Sequence, residues 1–164
     1  MKKLILLAFA LAPLTLFAQK FGRINTSVVI QAMPEYTKAQ TDMQTLQKQY
    51  EDELKRMQEE GQKKAADYDK EKATLPENIR TRRENEITEI GQKIQQYYQE
   101  SQQNLQKAQD EKMQPIEKKL MDAINAVGKE GGYTFIMPDG TFPYINETTV
   151  VDVTAAVKAK LGIK

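Results

Sequence analysis

The feature that most constrains this chain is a long polar segment that carries two narrow apolar stripes. Residues 35–114 number 80, and only 11 of them are Val, Ile, Leu, Met or Phe. So few apolar side chains are typical of disorder unless they share one face of a helix. They do, because in each half of the segment they recur every three or four residues, which predicts two helices joined along a coiled-coil seam. The predicted seam residues are Met43, Leu46, Tyr50, Leu54, Met57, Ile87, Ile90, Ile94 and Leu105.

Pro76 interrupts this segment near its middle. A proline lacks the backbone donor that a helix interior needs, and it disfavours the helical conformation at the residue before it. Proline is accepted at the start of a helix, where Glu77 also suits the positive end of the helix dipole. We therefore predict a helix that ends near Thr74, a reversal with its tip near residues 74–78, and a second helix from Pro76. The alternative is one long kinked helix, which would leave each stripe without a partner in the chain.

The two arms of this hairpin have unequal lengths. Residues 34–74 would span about 60 Å and residues 76–130 about 80 Å at the rise of an α-helix. Folding back at Pro76 places Pro34 opposite Lys118, so the end of the second arm extends beyond the first. That end is aliphatic, which predicts that it enters a globular body, with Pro115 bending the arm near the entry. Its aliphatic residues are Ile116, Leu120, Ile124 and Val127.

The body must come from the two ends of the chain, residues 19–33 and 131–164. We predict strands at residues 21–25, 133–137 and 141–146, an extended piece at 148–151, and a last helix that Asp152 caps at its N-terminus. Counted from Lys20, the two ends contribute 48 residues. So small a body seldom folds alone, which predicts a core shared between chains. The expected core residues are Ile24, Val28, Phe135, Ile136, Val151, Val153, Val157 and Leu161.

The N-terminus has the pattern of a secretory signal peptide. Lys2 and Lys3 precede an apolar run from Leu4 to Phe17, and Ala18 is a small residue at a plausible cleavage point. The alternative is a membrane anchor, for which the run is short, because spanning a bilayer needs about 20 apolar residues. We expect residues 1–18 to be removed after the chain crosses a membrane.

Composition excludes several classes of function. Without the signal peptide the chain has 22 basic and 23 acidic residues, and this balance argues against nucleic-acid binding. The absence of Cys and His removes most metal sites and most nucleophile–base pairs. The many carboxylates are those of solvated helix faces, and none lies in an apolar setting that would tune it for acid–base catalysis. We expect no enzyme activity, no cofactor and no bound metal.

The layout resembles the Skp (OmpH-like) family of periplasmic chaperones over essentially the whole mature chain. The resemblance lies in the opening FGRINTSVVIQ (residues 21–31), the charged hairpin, and the closing segment from Gly132 to Leu161. Asp152-Val153-Thr154 before the last helix is its most specific part. The helical portion is weakly specific, since any coiled coil shares its composition.

The resemblance implies an α+β fold that is mostly helical, with a long antiparallel coiled-coil hairpin projecting from a small β body shared between three chains. It implies a periplasmic homotrimer whose hairpins surround a cavity that holds unfolded outer-membrane proteins without nucleotide. A transient contact with a membrane surface is left open. From the residues alone, a trimeric coiled-coil spacer or scaffold of the envelope is the alternative.

The tip of the hairpin is the predicted client contact. Members of the family often have strongly basic arms, whereas residues 63–93 here hold 8 basic and 7 acidic side chains. We therefore do not assign a lipopolysaccharide-binding site to this chain from the family. Surface solubility is the simpler explanation of the arginines near the tip. A second departure is that residues 92–109 contain 8 glutamines. The predicted tip residues are Leu75, Pro76, Ile79, Arg80, Arg82 and Arg83.

Overall fold

The computed structural model describes residues 19–163, so the predicted signal peptide lies outside the described residues. The described chain is mostly helical with a small sheet, as the sequence predicts. Its elements are β1 (Lys20–Ile24), α1 (Thr26–Ala32), α2 (Pro34–Glu71), α3 (Glu77–Gly131), β2 (Tyr133–Pro138), β3 (Val150–Asp152) and α4 (Thr154–Leu161).

The sheet joins the two ends of the chain. Its strand order is β2-β1-β3, and β1 runs parallel to both neighbours. Parallel neighbours need a long crossover connection, which here consists of α1, α2 and α3. The predicted strand at residues 133–137 is confirmed as β2, and that at 21–25 as β1, one residue earlier.

The predicted strand at residues 141–146 is wrong. This segment forms no ladder, and the third strand is instead the short β3, which falls partly within the stretch predicted as extended. Pro143 has no backbone N–H to contribute to a ladder. Asn146 forms a turn in its place, because its side-chain oxygen accepts hydrogen bonds from the backbone N–H and the hydroxyl of Thr148.

The reversal between α2 and α3 lies close to the predicted position. Helix α2 ends at Glu71, three residues before the predicted end, and the Thr74 hydroxyl donates to the Glu71 carbonyl at 2.9 Å. Pro76 is the N-cap residue of α3, one position before the helix that it was predicted to begin. Gly132 ends α3 in the left-handed conformation, with φ of 65°.

Contacts between the long helices show that they run side by side in opposite directions. Lys112 Nζ lies 2.7 Å from Asp42 Oδ2, and a second ion pair joins Lys119 to Glu35 near the start of α2. Near the reversal, the Tyr68 hydroxyl donates to Glu84. The Glu35–Lys119 pair lies one residue from the predicted facing of Pro34 and Lys118.

The fully buried core lies where the sheet meets the helix ends. The main cluster contains Ile24, Val29, Leu120, Ala123, Val127, Val153 and Val157, and a second cluster contains Met33, Ala39 and Ile116. The aliphatic end of α3 thus packs into the body, as its composition predicts. Within residues 19–163, no helix has the length and apolar character needed to cross a membrane.

Candidate functional site: the sheet face and the paired helices

The two faces of the sheet differ. Gly22 and Ile24 of β1 are buried, and Ile136 of β2 packs on the same side against the helical core. The opposite face carries Phe21 and Phe135, whose ring centroids are 4.6 Å apart. Phe135 is 46% exposed, and neither ring packs against the buried core of the described residues. Because parallel sheets are normally covered on both faces, this aromatic face lacks a cover within the single chain.

Arg23 lies on the aromatic face and holds three segments together. Its guanidinium nitrogens lie 3.2 Å from Asp139, 3.2 Å from Asp152 and 3.6 Å from Glu147. The hydrogen bond to Asp139 raises the pKa of Arg23. Hydrogen bonds from Thr154, followed by the charge of Arg23, lower the pKa of Asp152. This cluster fastens the loop between β2 and β3 against β1.

Asp152 also serves the start of α4, although not as its N-cap. Val153 occupies the N-cap position, whereas the sequence predicted Asp152 to cap the helix. The Asp152 carboxylate nevertheless accepts a hydrogen bond from the backbone N–H of Thr154 at 2.9 Å. Asp152 therefore accepts a backbone hydrogen bond at the start of α4, as a capping residue does, but from the position before the N-cap.

The eight predicted body residues divide into three groups. Ile24, Val153 and Val157 are at most 1% exposed. Ile136 and Leu161 are partly buried and pack against the core. Val28, Phe135 and Val151 are 44%, 46% and 43% exposed in the single chain. A role for these three in a core shared between chains stays a prediction.

The sequence reasoning missed part of the core. Val29, beside the predicted Val28, is 0% exposed. Two adjacent valines in a short helix do not reveal which one faces inward, and this depends on how the Asn25 cap sets the start of α1. Met33 was also missed: this N-cap residue of α2 is 1% exposed and packs with Ala39 and Ile116, a contact that spacing along the chain does not reveal.

The paired helices have a shallow interior. All nine predicted seam residues are half-buried, and between residues 40 and 115 of the described chain only Ser101 is buried. The Tyr50 and Tyr97 rings meet edge to face with centroids 6.1 Å apart. Gly61 allows close approach, since a Cβ there would lie 3.0 Å from Ile90. The pairing therefore depends on a thin line of contacts with polar surface on both sides.

The predicted tip residues lie together at the reversal. Leu75, Ile79 and Arg80 are half-buried, whereas Pro76, Arg82 and Arg83 are exposed. Each arginine has an acidic partner. Arg80 pairs with Glu77, and Arg82 and Arg83 lie 3.5 and 3.8 Å from Glu86. This local pairing reduces the positive charge that the tip could offer to an anionic ligand.

The described residues contain no recognisable metal-binding cluster. Residues 19–163 contain no group of three or more His, Cys, Asp or Glu side chains placed to hold a metal ion. The surfaces that remain without a structural explanation are the aromatic face of the sheet and the outer faces of the paired helices.

Comparison with known proteins gives a family match and a similar fold. A family model described as outer membrane protein (OmpH-like) matches residues 20–161. The fold is similar to the crystal structure of an OmpH-like protein from Caulobacter crescentus, a candidate outer membrane chaperone. The TM-score is 0.77 at 15% identity, over 87% of this chain and 83% of that chain, so the likeness concerns the fold. No curated protein matches the sequence.

Proposed function

Because this chain belongs to the OmpH-like family, we propose that it is an ATP-independent holdase chaperone of the periplasm. In this proposal three chains share one body, built from residues 19–33 and 131–164. Their helical hairpins surround a cavity that receives unfolded outer-membrane proteins. Such clients expose apolar strands that would otherwise pair edge to edge and aggregate.

The observation that carries the proposal is the separation of buried and exposed surface along the chain. Full burial is concentrated in the body and the adjoining helix ends, while the region between residues 40 and 115 offers long polar surface. Few buried contacts imply low local stability, so the hairpin can adapt to clients of different shape. Many weak contacts on such a surface would hold a client without trapping it, which makes nucleotide-driven release unnecessary.

The aromatic face of the sheet supports the trimeric part of the proposal. Phe21 and Phe135 form an apolar patch on a parallel sheet that is covered on one side only. Three copies that bring these faces together would complete the missing cover. The body would then hold the three hairpins at fixed positions around one axis.

The proposal is tested by diluting a urea-unfolded outer-membrane β-barrel protein into buffer, with and without the mature chain, and following light scattering. We expect scattering to be suppressed near three chains per client. An absence of any effect at excess chain would contradict the holdase function and favour a structural spacer of the envelope.

A shortened chain tests the role of the hairpin. Deletion of residues 60–92 removes facing parts of both helices, because Gly61 lies opposite Ile90, and it leaves the body intact. We expect the shortened chain to remain folded by circular dichroism and to lose most of its protection of the client. Unchanged protection would show that the client is not held between the hairpins.

A further inference from the structure

The outer face of α3 carries a stripe of glutamines that the packing of the chain does not use. All eight glutamines within residues 92–109 are exposed. At 3.6 residues per turn they fall within about 140° of the helix circumference, centred about 150° from the seam. We call this surface, between Gln92 and Gln109, the glutamine stripe. It is about 25 Å long at the rise of an α-helix.

Charged residues lie beside the glutamine stripe and not on it. Only Lys93, Glu100 and Lys107 are charged within residues 92–109, and all three fall at one edge. Within residues 19–163, two glutamines of the stripe bond to carboxylates: Gln96 to Glu100 at 2.7 Å and Gln106 to Asp110 at 2.9 Å. The centre of the stripe therefore presents neutral amides to the solvent.

The outer face of α2 at the same height is different. It carries successive ion pairs, Lys48 with Asp52 at 3.2 Å and Lys55 with Glu59 at 3.8 Å. Since Tyr50 meets Tyr97 across the seam, these pairs lie level with the glutamine stripe. One side of the hairpin is thus charged and internally paired, while the other is neutral with free hydrogen-bonding capacity.

At its body end the glutamine stripe adjoins a charged surface hollow. The hollow, of about 690 Å³, is lined by Gln103 and Gln106 together with the charged residues Lys107, Asp110, Glu111 and Glu117. Pro115 lies on the opposite side of α3, where it lines a second hollow with Ala39 of α2. The proline inside α3 therefore faces α2 and not the glutamine stripe.

We propose that the glutamine stripe is the surface on which the unpaired backbone of an unfolded client polypeptide docks, an inference that rests on the proposed holdase function. A glutamine amide offers two N–H donors and a carbonyl acceptor, which complement the neutral N–H and C=O groups of an extended chain. A length of about 25 Å matches about eight residues of extended strand. Because the stripe has no charge and no apolar pocket, it binds a strand whatever its side chains are.

Crosslinking from single cysteines tests this placement directly. The chain has no Cys, so the variants Gln99→Cys and Asp52→Cys each accept one benzophenone label. The two positions are level along the hairpin, on the outer faces of α3 and α2. On irradiation with an unfolded outer-membrane barrel, we expect about fivefold more client crosslinking from position 99, because several backbone hydrogen bonds hold the client there.

Affinity measurements with alanine variants supply the second test. The triple variant Gln92→Ala, Gln99→Ala, Gln103→Ala keeps a good helix former at each position, and we expect its Kd for the labelled client to rise about three- to tenfold. The matched control changes three exposed glutamines of α2, outside the glutamine stripe: Gln44→Ala, Gln49→Ala and Gln58→Ala. We expect the control Kd to stay within about twofold of the original.

Three results would overturn the inference: equal crosslinking from both positions, an unchanged Kd in the stripe variant, or crosslinks between copies of the chain without client. The last would identify the stripe as an assembly contact. If the unaltered chain suppresses scattering and the stripe variant does so equally, the stripe inference fails alone. If the unaltered chain does not suppress scattering, the holdase function fails and the stripe inference fails with it.

Discussion

At the scale of single residues, Gly22 leaves room on β1 for side chains of the neighbouring strand β2. A Cβ at this position would lie 2.9 Å from Cγ1 of Ile136 and 3.2 Å from the ring of Tyr133. A side chain larger than that of glycine would therefore clash at this position. Backbone freedom is not the reason for the glycine, since Gly22 has the ordinary conformation of an extended strand. The residue lies in the middle of β1, which pairs with both other strands.

We predict that Gly22→Ala lowers the free energy of unfolding by about 1–3 kcal/mol, the usual cost of overpacking a core. Gly91→Ala is the matched control, because it lies within α3 and a Cβ there meets nothing within 4 Å. The control should raise stability by about 0.5–1 kcal/mol through helix propensity. Urea denaturation followed by circular dichroism measures both changes. Equal effects of the two substitutions would contradict the packing explanation.

At the scale of elements, cross-helix ion pairs fix the register of α2 against α3. The Asp42–Lys112 and Glu35–Lys119 pairs join residues 70 and 84 positions apart. The hydrogen bond from Lys112, with the charges of Lys112 and Lys38, lowers the pKa of Asp42. The hydrogen bond from Lys119 likewise lowers the pKa of Glu35. These pairs fix how far one helix is shifted along the other, which a thin apolar seam alone fixes only weakly.

We predict that Asp42→Asn destabilises the chain at pH 7 and that its effect disappears in acid. Because the folded-state pKa is lowered, the stabilisation by Asp42 is present above its ordinary pKa of 3.8 and is lost as the pH falls through the folded value. Urea denaturation of both proteins at pH 7, 5 and 3 should show the gap closing only at the lowest pH. In a Lys112→Gln background the gap should be much smaller at every pH. A gap that does not change between pH 7 and 3 would argue against the ion pair.

At the scale of the whole molecule, the single chain leaves an apolar surface that its own elements do not cover. Phe135 stacks near Phe21 yet remains 46% exposed, on a sheet of three strands. In the proposed trimer this surface becomes the interior of the shared body. The position of each hairpin around the cavity would then follow from the packing of these faces.

We predict that Phe135→Glu converts the proposed trimer to single chains, because a carboxylate would be buried where the faces meet. Sedimentation equilibrium measures the change in mass, and circular dichroism separates dissociation from unfolding. Tyr98→Glu is the control, since Tyr98 is similarly exposed, at 49%, but lies on the hairpin. A Phe135→Glu protein that keeps the mass of three chains would contradict the proposed interface.

Sequence by itself determined the features that depend on local pattern. The spacing of apolar residues indicated both long helices and their seam, and Pro76 marked the reversal within a few residues, because helix formation and proline chemistry are local. Only the tertiary structure decided the parallel strand order, the burial of Val29 and the cluster of ion pairs around Arg23. It also decided that only glycine fits at position 22 without a clash. Each of these depends on contacts between distant parts of the chain, such as Arg23 with Asp152, and such contacts leave no periodic signal in the sequence.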